Sequence, residues 1–259
     1  MAPLLRGDAW PGQGLWQDTV DLDGLYDEAA DVAASEHGTF VVGMGKRADH
    51  TLDMIVRAYD PQTGALRWSD VYDRAASNEF GRAIAVDGPR VFASGFCSAA
   101  NGNRDICVRA YDARTGRVAW TGTFDYAGLD DEPRFRGLAV AQGRVFVAGE
   151  ATRGANDTDF VLVAFDAATG RKLWHSAADR GPADLAESVV ADGGRVFATG
   201  TYWLGDGFHY VVRAHDPAAG ASSPAAAPGR APTGWCAGST GRPGSCSGRT
   251  RATSAAATG

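Results

Sequence analysis

Apolar residues fall in short runs that recur along the chain at a nearly fixed interval. Phe40-Val-Val-Gly43, Val91-Phe-Ala-Ser-Gly95, Val145-Phe-Val-Ala-Gly149 and Val196-Phe-Ala-Thr-Gly200 are four versions of one β-branched and aromatic run. Runs this short, bounded by turn residues, read as strands and not as helices. A second run follows each of them and ends in aspartate: Asp60, Asp112, Asp166 and Asp216, at successive spacings of 52, 54 and 50. That interval accommodates four short strands, which in the second repeat are about Arg82–Asp87, Arg90–Cys97, Asp105–Tyr111 and Arg117–Phe124. Tandem units of this size predict an all-β chain, a β-propeller of four-stranded antiparallel blades with about four repeats.

The turns carry their own signals. Asp87-Gly88, Gln142-Gly143 and Gly193-Gly194 mark a tight first hairpin that needs positive φ. The turn between the third and fourth strands is Asp-x-x-Thr-Gly followed by Trp: Asp60, Thr63, Gly64 and Trp68; Asp112, Thr115, Gly116 and Trp120; Asp166, Thr169, Gly170 and Trp174. The aspartate can accept hydrogen bonds from amides two and three residues on, and the glycine can take the left-handed conformation that closes a bulged hairpin. A tryptophan recurring once per unit points to packing between neighbouring units in preference to ligand stacking.

These residues also carry a resemblance. The pattern Ala-x-Asp-x-x-Thr-Gly-x-x-x-Trp resembles the tryptophan-docking motif of the quinoprotein, or pyrroloquinoline-quinone-like, propeller superfamily, and the likeness covers residues 15–220. That group includes quinone-dependent alcohol dehydrogenases and a non-enzymatic propeller lipoprotein of the outer-membrane β-barrel assembly machinery. The hairpin from Arg82 to Gly95 is also similar to bacterial secreted propeller repeats of unassigned function. The resemblance implies a periplasmic or extracellular location and a non-catalytic binding or scaffold role. It implies no cofactor, because the family's enzymes carry adjacent cysteines and this sequence has none.

Repeat counting divides the chain into an extension over 1–14, a lone strand over 15–21, units of about 28–73, 78–125, 132–178 and 184–220, and a tail over 221–259. Trp16 precedes Gly43 by the same interval as Trp68 precedes Gly95, so the chain opens on the last strand of a repeat. That strand could complete the fourth unit and close a four-bladed ring. The alternative, favoured because Pro224 stands where the next Trp is due, is part of a larger propeller.

Composition sharpens this division. The tail lacks Val, Ile, Leu, Met, Phe, Tyr, Asp and Glu but holds four arginines, so the remaining residues carry about −10 of charge within a net −6. Such a tail cannot bury enough apolar surface to order itself, and it reads as disordered, with a shifted reading frame as one origin. The acidic balance gives no electrostatic case for nucleic acid, and no run is long enough for a membrane span. The first residues lack the basic-then-apolar pattern of a secretory leader.

Candidate chemistry is sparse. Cys97 and Cys107 flank one loop, either as a disulfide or as two free thiols, while Cys236 and Cys246 lie in the tail. Acidic groups at Asp21–Asp23 with Asp27–Glu28, at Asp125 with Asp130–Glu132, and at Asp157–Asp159 are expected to be solvated and not calcium ligands. The five histidines are scattered, with no zinc spacing and no nucleophile motif, so no catalytic, cofactor or metal residue is assigned. The expected partner is a protein or a glycan, bound through loops such as those around Arg134 and Trp203.

Overall fold

The computed structural model describes residues 14–74, 77–192 and 194–220, and the backbone of 222–223. Every regular element among them is a strand. The first unit holds β1 (Asp27–Ser35), β2 (Gly38–Lys46), β3 (Leu52–Tyr59) and β4 (Leu66–Tyr72). The second holds β5 (Glu79–Asp87), β6 (Arg90–Ser98), β7 (Arg104–Asp112) and β8 (Val118–Phe124). The third holds β9 (Asp131–Ala141), β10 (Arg144–Gly154), β11 (Asp157–Asp166) and β12 (Lys172–Ala178). The fourth holds β13 (Leu185–Asp192), β14 (Arg195–Trp203), β15 (Phe208–His215) and the two-residue β16 (Ser222–Ser223).

Within each unit the strands pair antiparallel in sequence order, and parallel bridges between Ser188 and Arg136 and between Thr158 and Ala183 join the third and fourth units. The first strands β1, β5, β9 and β13 lie side by side, so the sheets fan outward from them. This is propeller-blade architecture, and it fits part of a larger propeller.

The hydrophobic cores lie between units. One joins Phe40, Met54, Val56 and Trp68 to Ile84, Val91, Ala93 and Tyr111. The next joins Phe92, Ile106 and Val108 to Val147, Val161 and Phe165, and the third joins Phe160 and Leu162 to Val189 and Ala198. Middle strands are therefore covered on both faces, which is why they read as continuous apolar runs and not as alternating ones. In β15 the alternate positions Phe208, Tyr210 and Val212 are exposed, although Ile106 and Val108, the β7 counterparts of Tyr210 and Val212, are buried.

Residues 15–20 differ from expectation. They form no strand, because a strand needs a ladder partner and none of the sheets extends to them. Trp16 nevertheless lies on the first unit's turn, its indole N–H donating to the Pro61 carbonyl at 3.1 Å. The expectations for the N-terminal extension up to residue 13, for Gly193 and for the tail beyond residue 223, including Cys236 and Cys246, fall outside the described residues.

Candidate functional site

The Asp-x-x-Thr-Gly turns form as their chemistry requires. Asp112 Oδ1 accepts from the Thr115 amide at 2.8 Å and from its hydroxyl at 2.7 Å, and Asp166 does the same with Thr169 at 2.9 and 2.8 Å. Asp60 accepts from Thr63 at 2.9 Å, and the Arg67 guanidinium with these turn bonds holds its carboxyl well below the usual range. Gly64, Gly116, Gly170 and Gly220 all sit near φ +70°, the left-handed region. A Cβ on Gly116 would lie 2.7 Å from the Trp68 ring, because the indole rests flat on that glycine.

Each tryptophan thus docks on the turn of the following unit. The indole N–H groups of Trp68, Trp120 and Trp174 donate to the carbonyls of Ala113, Ala167 and Pro217 at 2.9, 3.0 and 3.0 Å. Trp68 lies between Phe40 of its own unit and Tyr111 of the next, with ring centroids 5.9 and 5.5 Å away. Both ring faces are occupied, so these residues are joints between units. A polar brace stands behind the joint: Tyr111 donates its hydroxyl to Asp70 at 2.9 Å, and Arg109 reaches the same carboxylate at 3.2 Å. Arg57, Tyr59 and Asp18 repeat that brace one unit earlier.

Cys97 and Cys107 are joined as a disulfide, with Cα atoms 5.8 Å apart. The strand register places Cys97 opposite Asp105 and Cys107 opposite Gly95, so the bridge runs diagonally between β6 and β7. Both cysteines are buried in the core between the first and second units.

The acidic groups are not uniformly solvated. Asp131 and Asp159 are buried, as are Asp53, Glu79 and Asp184, which periodicity alone did not single out. A strand alternates its faces, so one member of an acidic run is carried inward while its neighbour meets water.

A row of paired charged groups lies along the first strands. Each carries a register irregularity at the same place: between Ala29 and Asp31, between Gly81 and Ala83, opposite Val147/Gly149 in β9, and between Ala186 and Ser188. The extra residues include Arg82 in β5, Arg134 in β9 and Glu187 in β13. A bulge bends its strand and re-aims a side chain. It also brings the neighbouring backbone close, which explains the glycine ending each apolar run: a Cβ on Gly95 would overlap the Phe80 carbonyl oxygen.

The displayed groups pair with one another. Arg134 lies 2.9 Å from Glu150 and 3.9 Å from Glu187, and Glu132 meets both Arg82, at 3.8 Å, and Arg104. The Arg82 guanidinium sits over Phe80 at 4.3 Å and Phe135 at 4.5 Å, with Phe80 stacked on Phe96. Burial lowers the Arg82 pKa and raises that of Glu150. Phe135 remains 43% exposed, giving the row an apolar contact point. Arg134 is therefore a strand residue inside this network and not a loop residue, while Trp203 ends β14 with its ring against Phe208. Sequence reading missed the row; its signal is a charged residue at matching places in successive first strands.

A second feature is a cleft of ≈ 340 Å³ beside the first unit, lined by Trp16, Val20, Val41, Gly43, Ile55 and Tyr59. In the later units the corresponding face is covered by the preceding unit. No helix among the described residues is long and apolar enough to cross a membrane.

Residues 52–222 match the family model described as outer membrane protein assembly factor BamB. No curated protein matches the chain. Among solved structures, the quinohemoprotein alcohol dehydrogenase from Comamonas testosteroni is similar over 76% of this chain and 34% of its own, with 16% identity and a TM-score of 0.50. A europium-containing methanol dehydrogenase is similar over 78% of this chain and 45% of its own, with 11% identity and a TM-score of 0.51. The chain spans less than half the length of these enzymes, and at such identities the likeness is one of fold.

Proposed function

Because the chain belongs to the propeller-repeat family whose model is described as outer membrane protein assembly factor BamB, we propose that it is a non-catalytic binding or scaffold module for a protein or glycan partner. The observation that carries this reading is the row displayed by the strand bulges, where Arg82, Arg104 and Arg134 face Glu132, Glu150 and Glu187 around Phe135. Paired charges of this kind can exchange partners with an incoming surface, and a part-exposed aromatic supplies an anchor. The family description, which names assembly and not turnover, supports the same reading. The disulfide suits an oxidising compartment, which supports a periplasmic or extracellular setting for the module.

A quinone-dependent dehydrogenase, or part of one, is the competing reading, and the fold of the two alcohol-oxidising enzymes favours it. The residues present do not suit a quinone there. The described cysteines are ten apart in sequence and buried between units, and the first-strand surface is filled by its own ion pairs. One experiment separates the two readings. Immobilised wild-type protein is expected to retain a discrete partner from envelope fractions or a glycan array, and Phe135→Ala and Glu187→Arg are expected to lose it at least tenfold. Equal retention by both variants would remove the row from consideration. Dye-linked alcohol oxidation after adding pyrroloquinoline quinone and calcium would transfer the argument to the dehydrogenase.

A further inference from the structure

Two clusters of three carboxylates share two places in the repeat, Asp53 with Asp159 and Asp73 with Asp179, and differ in the third member. Asp53 opens β3 and Asp73 follows β4, while Glu79 opens β5; in the third unit Asp157 and Asp159 open β11 and Asp179 follows β12. In each cluster one oxygen per residue lies within 4.8 Å of the others. Oxygens that share one calcium ion at roughly 2.3–2.6 Å are separated by no more than about 5 Å, so each trio is compact enough for one ion.

Crowding of acids does not by itself make a site. The second observation is that Asp53 and Asp159 are buried, and Oδ1 of each accepts no hydrogen bond. A buried carboxylate oxygen with no donor is costly unless a cation or proton completes it. Arginine supplies only part of the balance. Arg47 Nε lies 3.0 Å from Asp53 Oδ2, and Arg153 lies 3.7 Å from Asp159 and 2.6 Å from Asp179. Glu79 is held in position by the Arg74 amide at 3.0 Å and the Ser77 hydroxyl at 2.9 Å. Its carboxylate is on the opposite face of β5 from Phe80, which keeps this cluster apart from the bulge-displayed row.

We propose that Asp53, Asp73 and Glu79 form a seat for a hard divalent cation of the calcium class, and that Asp157, Asp159 and Asp179 form a second. The donors are all oxygen, which selects calcium over the softer transition metals, and water completes the coordination. Each ion would tie the outer end of one unit to the start of the next or to its own third strand.

Calorimetric titration of the chelator-treated full chain with calcium chloride, and in parallel with magnesium chloride, tests this. Two calcium ions per chain are expected, with a raised thermal midpoint. Asp73→Asn should remove one ion, Asp179→Asn the other, and the double variant both. Asp73 and Asp179 are exposed, so these changes spare the fold, and far-ultraviolet circular dichroism verifies that. Absence of binding at millimolar calcium, tighter binding of magnesium, or a stoichiometry indifferent to both substitutions would overturn the proposal.

Discussion

Asp131 is fully buried, with Oδ2 accepting the Tyr126 amide at 2.7 Å. Burial, reinforced by the charges of Asp125, Asp105 and Asp130, pushes its carboxyl up to about 7. The folded state therefore holds this proton more tightly than the unfolded chain, whose aspartates titrate near 3.9. The stability it confers is complete below pH ~4 and is lost as pH rises through about 7. Urea denaturation at pH 5 and pH 8 should show that loss, and Asp131→Asn, which keeps the acceptor, should flatten it. The gain at pH 8 is up to roughly 4 kcal/mol, from about three pKa units at ~1.4 kcal/mol each. In the sequence, Asp131 is one letter of an acidic run and looks solvated. Only the neighbouring strands decide that it points inward, and they come from distant parts of the chain.

The strands and turns were the most legible elements, because each writes its signal locally: β-branched runs, an Asx turn closed by glycine, one tryptophan per unit. The second-unit strands extend over Glu79–Asp87, Arg90–Ser98, Arg104–Asp112 and Val118–Phe124, within a few residues of the boundaries expected. The bulges in β1, β5, β9 and β13 were not legible. A bulge is a relation between two strands, and neither alone reveals the extra residue. The same holds for the hairpin of β6 and β7. The cysteines are symmetric about their loop, yet the register sets them on a diagonal, and only the folded sheet shows that they meet. Replacing both with serine should lower unfolding free energy by roughly 3 kcal/mol, the loop entropy released by a bridge of this span. Chemical denaturation of the variant and the oxidised parent gives the comparison. Because both sulfurs are buried between units, the native protein should resist mild reductant until it begins to unfold.

At the scale of the molecule, stability comes from contacts between successive units, so the fan behaves as a row of nearest-neighbour couplings. The row leaves Phe208, Tyr210 and Val212 exposed on β15, in positions that elsewhere receive the next unit. An uncovered apolar strand face favours association. Sedimentation velocity should show mass increasing with concentration for the wild type, and Val212→Lys should hold it near the single-chain value at the same concentrations. The tryptophan joint adds a direction to the row. Each indole belongs to one unit and its glycine seat to the next, so the two sides of any junction are unlike. A protease cutting between units would release two different products. The upstream piece would carry a bare indole and the downstream piece the glycine turn that seated it, while both would bare the apolar side chains that met between them.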